Sequence, residues 1–305
     1  MWKYLFRRFI QALITRWGAI TVVFLMIRVT GDPVRMILSP EASEEQVAAL
    51  RESLGLNQSL GKQYLDYLSD VLHGNLGDSF TYKQSALKVL MERIPATFQL
   101  ALAAFLMACV VGILFGILSV LFKNGIIDAI TGLFVTTGQS IPVFWLGIML
   151  IMVFAVKFGI FPTSGADKWN SIILPAISLA AYPAATITKL MRSNLLEVMG
   201  QDYIRTARAK GMGMWRVIFT QAIKNAFIPV LTVIGLEFGT LLGGAVVTET
   251  VFAWPGIGRV IIQAVYARDF PLVQAGILVV SFVFVFINFL VDVGYTLLDP
   301  RIKYN

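Results

Sequence analysis

Six segments of this 305-residue chain are apolar over a length that can cross a lipid bilayer, and this feature constrains its fold most. A transmembrane helix needs roughly 20 consecutive, mostly apolar residues. The chain is 57% apolar and only 14% charged, whereas a soluble domain carries about 25% charged residues. The sequence therefore predicts an all-α membrane protein with six transmembrane helices, at about residues 9–28, 98–122, 131–156, 172–190, 227–247 and 273–295.

The distribution of Lys and Arg predicts how the chain is oriented. With the N-terminus in the cytoplasm, both termini, the turn at Lys123 and the stretch 192–226 fall on one side, where cationic residues are densest. Because cationic residues favour the cytoplasmic side, we expect a multi-pass protein with both termini cytoplasmic. The net charge of +7 then indicates contact with anionic membrane lipid and no binding of nucleic acid.

The segment 172–190 is the weakest of the six, because Pro175 and Pro183 interrupt it. Proline is tolerated in a membrane helix where neighbouring helices satisfy the freed backbone groups. We therefore expect a kinked span that is buried by protein. Cys109, the only cysteine, lies within another apolar segment, so no internal disulfide can form.

The residue types needed for catalysis or metal binding are scarce. His73 is the only histidine, so neither a His-based metal cluster nor a catalytic triad can be assembled. The run from Gly55 to Lys62 resembles a phosphate-binding loop, but its spacing is one residue too long and no Ser or Thr follows the lysine. We expect no catalytic residue, no metal site and no bound cofactor; any ATP and Mg²⁺ would bind to other chains.

The connection between the first two spans, from Gly31 to Pro95, is expected to face outwards and to contain helices. Ser43 and Gln46 fit a capping box that begins one helix. Ser59 can cap a second helix, which ends near Gly74 and presents an apolar stripe, and a third extends from Ser85 to Arg93. The stripe residues are Leu60, Tyr64, Leu68 and Val71. They have no evident partner inside the chain, so they are expected to lie on the membrane or on an outer protein face.

The stretch from Asp202 to Pro229 is unusual for a membrane loop, because it mixes cationic residues with helix-forming ones. Its amphipathic pieces predict two short helices on the membrane surface, joined at Gly211 and Gly213. Such a segment is suited to be held by another protein. The cationic residues within it or just before it are Lys189, Arg192, Arg205, Arg208, Lys210, Arg216 and Lys224.

Two polar residues within predicted spans, Gln139 and Glu237, are candidates for a transport pathway. Polar groups at depth face a cavity or a partner, and a hydrogen bond between helices is an equally good interpretation. After the fifth span, Trp254 begins the run Trp-Pro-Gly-Ile-Gly. A bare Pro-Gly turn is common, but this run is longer and more distinctive than a turn requires, and Trp254 suits the outer membrane interface. A generic re-entry of the chain into the membrane is an equally good interpretation.

Taken together, these stretches resemble the permease subunits of ATP-binding-cassette importers, in the peptide and nickel branch of that family. The family's coupling loop carries Glu-Ala-Ala-x-x-x-Gly; here Arg205 to Ala207 stand in place of the first three residues and Gly211 is the glycine. The resemblance runs nearly end to end. Further matching stretches are Thr30–Pro33, Leu54–Asn57, Gly74–Phe80, Lys224–Pro229, Leu242–Phe252, Trp254–Gly258 and Leu298–Arg301.

The resemblance implies a type I importer permease fold with surface coupling helices. It implies a first span and outer segment over 1–93, a permease core over 94–299 with its coupling loop at 192–226, and a cytoplasmic tail at 300–305. The implied partners are a second, homologous permease, two ATP-binding cassette subunits and an extracytoplasmic solute-binding protein. The implied coupling residues are Arg205, Thr206, Ala207, Lys210, Gly211, Gly213 and Trp215. Candidate outer docking residues are Leu60, Tyr64, Leu68, Trp254, Pro255 and Gly256.

The function implied is ATP-driven import of di- or oligopeptides across the bacterial inner membrane by alternating access. Import of nickel or another small solute is the alternative within the family. A secondary transporter driven by an ion gradient is the alternative from another class; it would predict inverted repeats and carboxylates near the midplane, and only Glu237 fits the latter.

Overall fold

The computed structural model describes residues 10–11, 13–15, 17–25, 34, 43–53 and 55–298, and these are organised almost entirely as helices. Within this part of the chain the only β-type pairing is an isolated bridge between Asp78 and Ser85. The motif at Thr30–Pro33, most of the one at 298–301 and the tail 300–305 lie outside the described residues. The helices are α1 (Leu13–Leu25), α2 (Glu44–Ser53), α3 (Leu60–Leu72), α4 (Ala86–Met91), α5 (Ile94–Leu121), α6 (Ile126–Ser140), α7 (Val143–Leu150), α8 (Ile173–Met199), α9 (Asp202–Ala209), α10 (Met214–Val217), α11 (Ile223–Val251), α12 (Ile257–Tyr266) and α13 (Phe270–Leu298).

Apolar helices of membrane-spanning length confirm the predicted class of fold, although the count of six is not reproduced. Four continuous helical segments are long and apolar enough, and the bent pair α6 and α7 makes five if it is one span. The helix α1 is apolar but shorter than the others as described, and residue 16 within it lies outside the description. The four long segments are Ala86–Leu121, Trp169–Met199, Met214–Val251 and Phe270–Phe289.

The prediction of an unbroken third span over 131–156 is wrong. The helix stops at Ser140 and a new one begins at Val143, and the helix direction bends by 112° between them. Pro142 causes the break, because a proline pushes the residue before it out of the α region and lacks an N–H for the helical ladder. Ile141 accordingly has extended backbone angles, φ −79° and ψ 125°. The second arm continues as a π-helix over Ile151–Lys157.

The fourth span, α8, is the central helix of its part of the molecule. It continues through Pro183 without a break, and 67% of its apolar window is buried, which confirms that protein covers it. Glycines on α5 allow this packing: a Cβ placed on Gly112 would lie 2.7 Å from Ile187, and one on Gly116 would lie 2.6 Å from Met191. Small residues let membrane helices approach closely in this way.

The chain packs as two compact units, residues 96–255 and residues 1–95 together with 256–305. The core of the first is built mainly by α5, α8 and α11, and that of the second by α4, α12 and α13. Packing thus groups α12 and α13 with the N-terminal segment. The division into 1–93 and 94–299 that the sequence suggests stays a prediction about the organisation of the chain.

Candidate coupling segment and transport groove

The charged segment after α8 is turned sharply by Gly211. Its φ of +81° is a left-handed conformation that a residue with a Cβ adopts only at a cost. The Gly211 N–H donates to Arg208 O at 2.9 Å, and the Met212 N–H donates to Ala207 O at 3.3 Å. Apart from the adjacent residues in the chain, no atom of the described residues lies within 4 Å of a Cβ placed on Gly211 or Gly213. The turn is therefore open on the side to which a side chain would point.

Apolar side chains fix this segment to the core and leave its polar side exposed. Ile204 of α9 and Val217 of α10 are completely buried. By contrast, the Arg205 side chain is 76% exposed, and its 3.6 Å pair with exposed Asp202 contributes little to stability. Trp215 is exposed as well, and its ring is stacked on that of Phe219 at 6.0 Å. The outcome is a firmly held surface of cationic and aromatic groups.

The second of the two predicted surface helices is not a separate helix. From α10 the chain continues through a π-helical turn, Ile218–Ala222, directly into α11. No glycine or proline interrupts residues 214–228, and the side chains of Ile218 and Ala222 are buried. The coupling segment is therefore continuous with the fifth span.

A polar groove of about 830 Å³ lies between α6 and α8. Gln139, predicted to line a pathway, is on its wall, and its side-chain amide donates to the Thr186 hydroxyl at 3.5 Å. At one end Arg192 binds Asp128 with two hydrogen bonds, of 2.9 and 3.1 Å. Sequence analysis missed this pair, because its partners are 64 residues apart and nothing local marks them.

Glu237, the other predicted pathway residue, is not on the wall of this groove. It is half-buried on α11, and the Thr240 hydroxyl lies 2.8 Å from its backbone oxygen and 3.0 Å from its carboxylate. These contacts stay within one helix, and no hydrogen bond from Glu237 to another helix is found in the described residues.

Sequence analysis also missed the buried hydrogen bond of Glu249 near the end of α11. Its carboxylate is fully buried and accepts a hydrogen bond from the Thr97 hydroxyl at 2.6 Å. The Trp254 indole N–H donates to Ala96 O at 2.8 Å, and only 2% of Trp254 is exposed. The prediction that Trp254 presents its ring at an outer surface is therefore wrong, because the ring packs inside its own unit. Pro255 is partly exposed and Gly256 is buried.

The predicted outer helices are present, and the capping box at the start of α2 is confirmed. The Ser43 N–H donates to the Gln46 side chain at 3.1 Å, and the Gln46 N–H donates to the Ser43 hydroxyl at 3.3 Å.

The apolar stripe of α3, however, has an internal partner. The Tyr64 hydroxyl lies 2.6 Å from the Thr21 hydroxyl, and the Tyr64 ring packs 5.0 Å from that of Phe24.

Only part of that stripe remains open for docking. Leu60 is 65% exposed, whereas Leu68 is partly covered. The sequence alone indicates no partner for the stripe, because nothing in it shows that α1 lies next to α3.

A buried carboxylate fastens the outer segment to the turn between α12 and α13. Asp269 accepts hydrogen bonds from the Ser79 hydroxyl at 2.5 Å and from the Thr81 N–H at 2.9 Å. Its other oxygen accepts from the Leu272 N–H at 3.3 Å. Burial raises the pKa of Asp269, but the hydrogen bonds from Ser79, Thr81 and Phe80 together outweigh it, so the pKa lies below its usual value.

Comparison with known proteins identifies the family. Residues 108–304 match the family described as binding-protein-dependent transport system inner membrane component, and residues 1–101 match its N-terminal companion. The chain belongs to this family. It is thus a multi-pass inner-membrane transport component and not an enzyme, as the sequence predicted.

Individual relatives match over their whole length. The di/tripeptide transport system permease protein DppB of Pseudomonas aeruginosa is 40% identical over 334 residues, covering 100% of this chain and 99% of that protein. The glutathione transport system permease protein GsiC of Escherichia coli strain K12 is 38% identical over 305 residues, covering 100% of both.

Solved structures support the type I importer fold. A chain of the inward-facing MetNI methionine ABC transporter superimposes with a TM-score of 0.56 at 19% identity, covering 69% of this chain and 96% of that one. An amino acid ABC transporter crystallised with histidines gives a TM-score of 0.53 at 16% identity, with 70% and 94% covered.

Proposed function

We propose that this chain is the permease subunit through which an ATP-driven importer moves di- or oligopeptides across the bacterial inner membrane. One observation carries this proposal: relatives named for di/tripeptide, dipeptide and glutathione transport match the chain end to end at 38–40% identity. Membership of the binding-protein-dependent family favours this class over an ion-gradient transporter. Nickel or another small solute is the alternative substrate.

The importer that we propose contains a second, homologous permease, two ATP-binding cassette subunits and an extracytoplasmic solute-binding protein. Both termini of this chain lie in the cytoplasm, and the outer segment with α3 faces the binding protein. ATP and Mg²⁺ bind to the cassette subunits. This arrangement is supported by the density of cationic residues in 192–226 and by the exposed side of α9 and α10.

The proposed coupling surface consists of α9, the Gly211 turn and α10. Its residues are Arg205, Thr206, Ala207, Lys210, Gly211, Gly213 and Trp215. Because Ile204 and Val217 are buried in the same core as α8, a cassette subunit that moves this surface moves the span with it. The continuous path from α10 into α11 carries the same displacement across the membrane. Such docking can bias alternating access only if it binds one state of the permease more tightly than the other.

Uptake by the reconstituted complex tests the proposed function. The chain, its second permease, both cassette subunits and the binding protein are placed in vesicles, and entry of labelled dipeptide and of nickel is measured. Dipeptide uptake that needs ATP and stops with vanadate supports the proposal. Uptake that persists without ATP and collapses with an uncoupler contradicts it, and ATP-driven uptake of nickel alone assigns the other substrate.

A further inference from the structure

The two faces of α6 differ in a way that a helix surrounded by lipid would not require. On one face, hydrophilic or small residues follow the helix axis from Asp128 through Gly132 and Thr136 to Gln139, and all of them line the polar groove. On the other face, Leu133 and Thr137 line a separate cavity of about 480 Å³ whose walls are almost wholly apolar. Polar side chains in membrane spans face a partner or a water-filled cavity.

The opposite wall of the polar groove, on α8, is polar as well. Lys189 and Ser193 are exposed on it, and Thr186 above them bonds to Gln139 across the groove. From Asp128 to Ser140 the groove extends over about 18 Å of helix at 1.5 Å per residue. An extended dipeptide needs about 7 Å, so the groove is long enough to hold one.

The charges in the groove do not balance. Its charged lining residues are Asp128, Arg192 and Lys189. Asp128 and Arg192 neutralise each other through their two hydrogen bonds. Lys189 lies one turn from Arg192 on α8, and its ammonium has no ion pair with any residue that the structure describes. A single positive charge therefore remains on the groove wall, one helical turn before the stretch 192–226 that is expected on the cytoplasmic side.

We propose that this groove is an aqueous stretch of the transport path, and that Lys189 there receives the carboxylate of the passing peptide. The inference rests on the proposed function, since it names where and how the substrate of that importer is recognised. A peptide brings one terminal carboxylate, which supplies the missing negative charge. An anionic lipid headgroup has the same charge, but its acyl chains need continuous apolar walls, and polar side chains interrupt the wall on α6 at Thr136, Gln139 and Ser140.

Neighbouring threonines on α6 give a matched pair of probes. In a Cys109→Ala background, Thr136→Cys places a thiol in the polar groove and Thr137→Cys places one in the apolar cavity. Both positions are exposed in the isolated chain. In membranes containing the assembled importer, small charged methanethiosulfonates should modify residue 136 much faster than residue 137. Equal rates at the two positions, or none at 136, would show that the groove is not aqueous and would overturn the proposal.

The role of Lys189 is tested by comparing how fast anionic and cationic reagents label the thiol at residue 136. An anionic reagent should react faster than a cationic one of similar size. In Lys189→Gln the ratio of the anionic to the cationic labelling rate should fall about fivefold or more, as expected for loss of one unit charge from the wall of the same groove. Lys189→Arg should preserve the ratio, and Lys123→Gln, which removes a cation outside the groove, should leave it unchanged. A ratio that Lys189→Gln does not alter contradicts the assignment.

Protection by substrate identifies the anion. Dipeptide with a free carboxylate should slow labelling at residue 136. The same dipeptide with an amidated C-terminus should protect at least several times less well, and this difference between the two peptides should vanish in Lys189→Gln. Protection that depends instead on the anionic lipid content of the vesicles assigns the groove to lipid and overturns the proposal. If the anion preference holds but the wild-type complex takes up no peptide, the proposed substrate is wrong and the anion site stands. If peptide uptake is normal and the anion preference is absent, only the site fails.

Discussion

The coupling segment and the turn at Asp269 are both charged connections between apolar helices, yet they use charge in opposite ways. In the coupling segment apolar side chains such as Ile204 are buried and Arg205 remains exposed. At the turn before α13 the charge itself is buried, and Asp269 accepts hydrogen bonds from Ser79 and Thr81. A buried, fully bonded charge specifies internal structure. An exposed charge on a rigid base is available to another chain.

The largest effect that follows from this contrast is expected at Gly211. In Gly211→Leu, uptake should fall more than tenfold although the protein inserts and assembles, because a side chain at φ +81° strains the turn and fills the space left for a partner. Gly213→Leu is the comparison variant and should impair uptake less, since it adds the same side chain in equally open surroundings at φ −64°, where the backbone is not strained. ATP hydrolysis and peptide uptake by the reconstituted complex measure the coupling. Parent-rate transport by Gly211→Leu would show that the turn does not couple.

Loss of the buried carboxylate is expected to destabilise the outer segment rather than impair coupling. Asp269→Ala leaves the buried Ser79 hydroxyl without its acceptor, which costs about 1–3 kcal/mol, and removes the acceptor of the part-buried Thr81 N–H. The thermal midpoint in detergent should fall. Asp202→Ala, which removes an exposed carboxylate, should leave the midpoint unchanged. If the two variants unfold at the same temperature, the bonds of Asp269 are not stabilising.

A smaller effect should appear in the pH dependence of stability. The pKa of Asp269 is lowered in the folded state, so its contribution is present above the unfolded pKa of about 3.9 and is lost as pH falls through the folded pKa. The difference in thermal midpoint between the parent and Asp269→Asn should therefore be constant from about pH 7 to 5 and shrink below about pH 4. A difference that grows on acidification would reverse the sign of the linkage.

The smallest effect on folding is expected at Arg205. Its pair with Asp202 is exposed and 3.6 Å long, and such pairs contribute little to stability. Arg205→Glu should therefore keep the thermal midpoint while it weakens binding of the cassette subunits, measured by co-purification at low salt. A lower midpoint with unchanged co-purification would make Arg205 a structural residue and remove it from the coupling surface.

Local patterns in the sequence predicted local structure well. The capping box at Ser43, the stop near Gly74 and the turn at Gly211 depend on residues within one or two turns of each other, and the structure contains all three. The break at Pro142 was readable by the same kind of rule, because the residue before a proline resists helix. Hydropathy alone indicates one span here, because the apolar run continues on both sides of Pro142.

Pairings between distant residues could not be predicted in this way. Ser79 and Asp269 are 190 residues apart, and nothing near either one indicates the other. The same holds for Thr97 with Glu249. A single sequence shows which residues are polar in apolar surroundings, as for Gln139, but only the packing of helices shows which polar groups meet. The roles of the coupling, pathway and docking residues remain predictions.

The bond between Ser79 and Asp269 also has a consequence for how the protein is made. The N-terminal segment packs with α12 and α13, which leave the ribosome more than 150 residues after it. Until then Ala86, Leu90 and their neighbours lack the apolar surface that covers them in the finished protein. Completion of this unit thus requires that α12 and α13 have been inserted. A nascent chain arrested before Gly256 should expose residues 76–95 to a membrane-bound protease, and the released chain should resist it.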